Sequence, residues 1–143
     1  MSLFSVLSIG ASGMAAQRTR AELLTENLAN AETTRTPEGG PYRRKDAVFA
    51  STEVASPFAS VFNREVEASG VRVDEILTDG RDPERRYLPG HPDADGEGFV
   101  AFPRINPAED MVDLMGAARG YEANVAAISA VKDMIQRSLD LLR

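Results

Sequence analysis

The 143-residue chain has no cysteine, no tryptophan and a single histidine, His91. Without thiols it can form neither disulfides nor thiolate metal ligands, and it offers no thiol nucleophile. His91 sits between Gly90 and Pro92, and no glycine-flanked serine elbow accompanies it, so it reads as a turn residue and not as a catalytic base. Basic residues are outnumbered, with 16 Lys and Arg against 22 Asp and Glu and a formal charge of −6. A nucleic-acid partner would need a strong basic patch, and the densest run, Arg43-Arg44-Lys45, is too short to supply one. No apolar run approaches the ~20 residues of a membrane span. The opening residues include Leu3, Phe4, Val6, Leu7 and Ile9, but no Lys or Arg precedes them and serines interrupt them, so no cleaved leader is expected.

Acidic residues are plentiful without forming a recognisable site. Asp93, Asp95, Glu97 and Gly98 follow the opening of an EF-hand loop, yet the twelfth position is Arg104 where a bidentate glutamate belongs, and Pro92 and Pro103 interrupt the flanking helices. The segment reads as an acidic solvated loop, and neither a metal nor another cofactor is expected. With 22 acidic residues, carboxylate pairs for glycoside hydrolysis cannot be selected without geometry.

Both ends of the chain carry one pattern that the middle lacks. Leu3, Leu7, Gly10, Met14, Gln17, Ala21, Leu24, Leu28 and Ala31 step alternately by four and three, and so do Met111, Leu114, Ala118, Tyr121, Val125, Ile128, Lys132, Ile135, Leu139 and Leu142. Such spacing keeps a narrow stripe on one side of a helix, as a coiled-coil seam requires. The expected fold is mainly α: an antiparallel, coiled-coil-like pair of long terminal helices, residues 1–31 and 105–143, with a small irregular β-rich insert at 32–104. The turn formers from Thr33 to Pro41 end the first helix near Ala31. Asn106-Pro107-Ala108-Glu109 opens the second, with Asn106 as cap, proline at the first helical position and Glu109 placed to close a capping box. Within the insert, Ala47 to Phe49, Phe58 to Phe62, Val71 to Leu77 and Phe99 to Phe102 are strand-sized apolar pieces, whereas Arg81 to Gly98 reads as a long exposed loop.

Gly116 and Gly120 lower helix propensity, which a close helix partner would explain. Asn27, Asn30 and Asn124 likewise sit where alanine would be a better helix former, and an amide can tie chains together by directional bonds.

Several blocks resemble one family. Ser12-Gly13-Met14-Ala15-Ala16-Gln17 followed by Glu26-Asn27-Leu28-Ala29-Asn30-Ala31 is similar to the N-terminal signature of bacterial flagellar rod, hook and hook-associated proteins. Thr33 to Arg44, Tyr87 to Asp95, Gly98 to Val100 with Pro103, and Glu109 to Leu114 with Ala118 to Asn124 resemble its proximal-rod members. Glu32, Phe99 and Gly116 depart from that pattern, where asparagine, tyrosine and serine are usual.

The resemblance implies a structural subunit of the periplasmic basal-body rod, exported unfolded through the flagellar type III apparatus. Implied partners are other proximal-rod proteins, the adapter between the rod and the membrane-embedded ring, the distal rod protein and copies of itself, with no nucleic acid and no small-molecule substrate. On this reading Leu24, Leu28, Val125, Ile128 and Ile135 pack within the chain, while Asn27, Asn30, Arg119, Tyr121 and Asn124 face neighbouring subunits. Because two stripes cover each other on one side only, the termini of an isolated molecule are expected to be disordered and to become helical on assembly. Two other classes stay open: a coiled-coil adaptor or export chaperone that never polymerises, and a peptidoglycan-cleaving enzyme.

Overall fold

The computed structural model describes residues 3–53 and 69–141, apart from the side chain of Leu3. The apolar piece from Phe58 to Phe62 and the last stripe position, Leu142, lie outside the described residues. Elements follow in the order α1 (Leu3–Ala29), β1 (Lys45–Glu53), β2 (Ser69–Thr78), β3 (Glu84–Tyr87), β4 (Phe99–Phe102) and α2 (Pro107–Asp140). The architecture is mainly α, and among the described residues two small antiparallel sheets fall between the helices in chain order.

α1 stops two residues before Ala31 because Asn30 turns its own amide onto the helix end. Its Nδ2 donates to the Glu26 carbonyl at 2.9 Å, and its Oδ1 accepts from Thr33 Oγ1 at 3.1 Å. The Glu26 carbonyl thus accepts a second bond beside that from Asn30 N, while Asn30 N also reaches Asn27 O and Ala31 N reaches Leu28 O, tightening the last turn out of the α-helical ladder. At the other helix, Asn106 Oδ1 accepts from Ala108 N at 3.1 Å and Pro107 takes the first helical position, as the sequence requires. Glu109 does not complete the box: among the described residues it makes no bond back to Asn106.

Close contacts show that the two helices run antiparallel. A Cβ built at Gly10 would lie 2.9 Å from Ile128 Cγ1, one at Gly13 2.9 Å from Asn124 Oδ1, and one at Gly120 3.1 Å from Gln17 Cδ. Numbers rise on α1 as they fall on α2, and Arg20 pairs with Asp113 at 3.5 Å further along. The contact seam of α2 keeps the stripe members Leu114, Ile128 and Ile135 half-buried but falls one residue early at the alternate positions. Asp110, Ala117 and Val131 are buried and Asn124 is half-buried, each immediately preceding a stripe member, Met111, Ala118, Lys132 and Val125. Small groups win this competition because backbones approach most closely where no side chain intervenes, and dispersion falls away steeply with distance. Gly10, Gly13, Ala117 and Gly120 make that approach possible, and several larger apolar side chains are left outside it.

In the insert, β1 and β2 pair from Lys45↔Thr78 to Glu53↔Ser69 with a bulge after Val48, and they lean on α1. Ser12 Oγ fastens them, accepting from Val71 N at 3.1 Å and donating to Ile9 O at 2.7 Å. β3 corrects the expectation of a structureless stretch from Arg81 to Gly98: Glu84–Tyr87 pairs with Phe99–Phe102, although its sequence, Glu-Arg-Arg-Tyr, has no apolar alternation. Contacts across the sheet stabilise it. Arg85 lies 4.9 Å from the Phe99 ring, Arg86 4.8 Å from the Phe102 ring, and Tyr87 meets Phe99 edge-on at 5.3 Å. The return to β4 passes Gly98 at φ +82°, where any Cβ would also strike Tyr87.

Candidate functional site

The insert is joined to the helices by a polar knot centred on Asn27, which is 0% exposed. Its Oδ1 accepts from Lys45 N at 2.9 Å and from the Tyr42 hydroxyl at 3.0 Å, while its Nδ2 donates to Lys45 O at 2.8 Å. One side chain thereby stands in for a neighbouring strand at the first residue of β1. Burial, with the nearby Glu26 carboxylate adding to it, pushes the Tyr42 phenol up to about 12. Lys45 completes the knot by pairing with Glu26 at 2.6 Å.

Beside it, Asp110 in the first turn of α2 is 1% exposed and lies 3.0 Å from Arg44, which also approaches Asp46 at 3.3 Å. The contact is coulombic and lacks hydrogen-bond alignment, since neither Asp110 oxygen has an aligned donor among the described residues. Desolvation raises the Asp110 pKa and outweighs the attraction of Arg44, which acts to lower it.

These contacts reassign several sequence expectations. Asn27, expected to face a neighbour, is instead consumed inside the chain. Asn30 and Asn124 also direct their amides inward: Asn30 closes α1, and Asn124 donates to Gly120 O at 2.8 Å while filling the space over Gly13. Arg119 and Tyr121 are exposed. Among the residues expected to pack within the chain, Leu24 is buried, Ile128 meets Gly10, and Leu28 and Ile135 are half-buried. Val125 is 45% exposed, a consequence of the one-residue displacement of the seam. Sequence reasoning overlooked Tyr42, Arg44 and Asp110; the seven-residue recurrence of Asp110, Ala117, Asn124 and Val131 was available, but its polar members disguised it.

The acidic loop is occupied with its own folding. Asp95 Oδ1 accepts from Glu97 N and Phe99 N, and its Oδ2 pairs with Arg85; Asp93 accepts from Thr34 and pairs with Arg35. His91 Nδ1 accepts from Asp93 N, so it serves the turn.

What the geometry offers is surface. Outside the seam, α2 carries Met111, Val112, Met115, Val125, Met134 and Leu139 in exposed positions, with Val112 68% exposed. Exposed Val112 and Gly116, and then Ala123, Ala127, Ala130 and Met134, lie along one side of the helix with the exposed Arg119 between the two groups, and a Cβ at Gly116 would meet nothing within 4 Å. Exposed apolar side chains gathered on one side of a helix are what a docking face requires. Among the described residues no helix is long and apolar enough to cross a membrane.

Residues 97–141 match the family described as flagellar basal body rod FlgEFG protein C-terminal. Over the whole chain there is similarity to flagellar basal-body rod proteins FlgC. That of Borreliella burgdorferi is 38% identical, covering 100% of this chain and 99% of the relative, and that of Bacillus subtilis is 39% identical over 99% of each. The relative from Escherichia coli O157:H7 is 35% identical, covering 99% of this chain and 98% of its own length.

Proposed function

Because this chain belongs to the FlgC family of flagellar basal-body rod proteins, we propose that the outward face of α2 is where neighbouring rod subunits pack. The protein is a structural subunit of the bacterial flagellar basal-body rod that assembles with other flagellar rod proteins, and its family is not one of enzymes. The observation that carries the proposal is the exposed, mostly apolar side of α2 from Val112 to Met134, which nothing among the described residues covers. Covering it on assembly removes apolar area from water and supplies stability that two helices alone cannot.

Copies of this chain, other proximal-rod proteins, the rod-to-ring adapter and the distal rod protein are the neighbours this reading assigns. A coiled-coil-like seam then extends from the intrachain pair into the shaft, with Arg119 beside the contact and Tyr121 on the other flank of the intrachain seam, open to a second neighbour. Torque passes through such a shaft because twist must deform many shared helix contacts at once. Export in an unfolded state through the type III apparatus suits a chain whose core is small and whose helices gain cover on arrival.

Fractionation tests the proposal. Wild-type protein should co-purify with detergent-resistant basal bodies, and Val112→Glu with Met134→Glu should leave the far-ultraviolet circular dichroism unchanged while removing the protein from that fraction. Normal incorporation of the double variant would show that α2 docks nothing on this face. A wild-type protein that stays in the soluble fraction would favour a non-polymerising adaptor.

A further inference from the structure

Three connectors, the approach to β1, the exit from β2 and the approach to α2, meet around a cleft of about 20 Å³. Arg43, Arg44, Arg81 and Arg104 line it, with Asp79 the one carboxylate among its lining residues. Arginines far apart in sequence are thus gathered at one place on a chain of net charge −6.

Not all four are free. Arg44 is held by Asp46 and Asp110, and Arg81 engages both oxygens of Asp79. Arg43 donates from Nη1 to the carbonyls of Asp79 at 2.9 Å and Arg81 at 3.3 Å, which fixes its position, and it forms no ion pair among the described residues. Arg104 is exposed and forms no ion pair among the described residues. Proline rings at 41, 83 and 103 border the cleft and restrain the backbone that presents these groups. The result is two guanidinium groups with no ion pair of their own among the described residues, Arg104 acting only at longer range on Asp79 and Glu84, around a small recess bordered by prolines.

We propose that this cleft receives an aspartate or glutamate side chain of a neighbouring subunit in the rod, with Arg43 and Arg104 clamping its carboxylate. The recess is far too small for a nucleotide and takes no more than an oxygen of a carboxylate, the rest of which would lie at its mouth between Arg43 and Arg104. The planar fork of arginine suits a carboxylate better than an ammonium would, and an arginine already pinned by backbone carbonyls loses little freedom on binding. The inference rests on the rod reading above and names the chemistry of one of its contacts.

Two variants of the full-length protein test it in cells. Arg43→Glu with Arg104→Glu should reduce incorporation into basal bodies roughly tenfold or more, because like charges then meet at the contact. Arg104→Glu alone, which breaks no hydrogen bond or ion pair among the described residues, should show the same direction if the first variant misfolds. Arg104→Lys keeps the charge and installs an amine, so carbodiimide treatment of purified basal bodies should couple position 104 to an Asp or Glu of a neighbour, identified by peptide mass spectrometry. Normal incorporation of both charge-reversed variants overturns the proposal, as does normal assembly of Arg104→Lys with no coupling at position 104. So does saturable binding of inorganic phosphate at the cleft with incorporation indifferent to both reversals. Wild-type protein absent from basal bodies would be a failure of the rod reading instead.

Discussion

Asn27→Ala is the sharpest perturbation of the junction. Its side chain makes three hydrogen bonds, two to the Lys45 backbone and one to Tyr42. At about 1 kcal/mol each their loss amounts to about 3 kcal/mol, and more where the abandoned Lys45 and Tyr42 groups stay dry. Alanine returns about 0.5 kcal/mol through better helix propensity, so the net destabilisation is about 2–3 kcal/mol. For a chain of this length that corresponds to a fall in melting temperature of roughly 5–10 °C. Urea unfolding of the purified protein measures it: the midpoint should drop with the slope unchanged, since the junction adds no large surface to the transition. Asn27→Asp keeps the shape and the acceptor but sets a second oxygen against the Lys45 carbonyl, and it should lose a comparable amount. A shift below about 0.5 kcal/mol for both, together with failure to enter basal bodies, would refute the reasoning and return Asn27 to the subunit interface.

Two glycines on the helices should respond oppositely to alanine. Gly10→Ala drives a methyl to 2.9 Å from Ile128 Cγ1, and because a β-branched side chain cannot swing that atom aside, a net loss of about 1 kcal/mol is expected on thermal melting. Gly116→Ala meets open space, so it should raise the isolated protein's stability by about 1 kcal/mol yet lower its incorporation; unchanged incorporation would mean that nothing packs on Gly116. Two aspartates pull the pH dependence in opposite directions. Asp79 is held at about 2 by its bonds from Arg81, so its contribution is present above the ordinary value of 3.8 and is lost as pH falls from there toward 2, and Asp79→Asn should abolish that portion of the acid limb. Asp110 has a raised folded-state pKa, so folding takes up a proton and its unfavourable contribution is relieved as pH falls through that value; Asp110→Asn should flatten this rise, and an unchanged profile would contradict the burial argument. Amide exchange of the isolated chain should show protection greatest around Asn27 and Tyr42 and weakening toward Leu3 and Asp140, where few buried groups hold the helices; uniform protection along α1 would count against assembly-coupled ordering.

Much of the organisation could be read from residue order because it is local physics. Periodicity near 3.5 residues announced both helices, the turn formers from Thr33 to Pro41 placed the end of the first to within two residues of Ala29, and Asn106-Pro107 opened the second where the structure has it. The apolar pieces at Ala47–Phe49, Val71–Leu77 and Phe99–Phe102 fall within β1, β2 and β4. β3 escaped notice because aromatic rings on its partner strand, and not an alternating pattern of its own, hold Glu84–Tyr87 in place.

The candidate site divides along the same line. Which segments are helical, and that their apolar content exceeds what one partner can cover, follow from the order of residues, since helix propensity and hydrophobic spacing act over a few neighbours. Which face of α2 meets α1, that Asn27 lies inside, and that Arg43, Arg81 and Arg104 share one cleft were decided only on folding. Those outcomes depend on how near two backbones can come and on which connectors converge, and both are set by contacts between residues far apart along the chain.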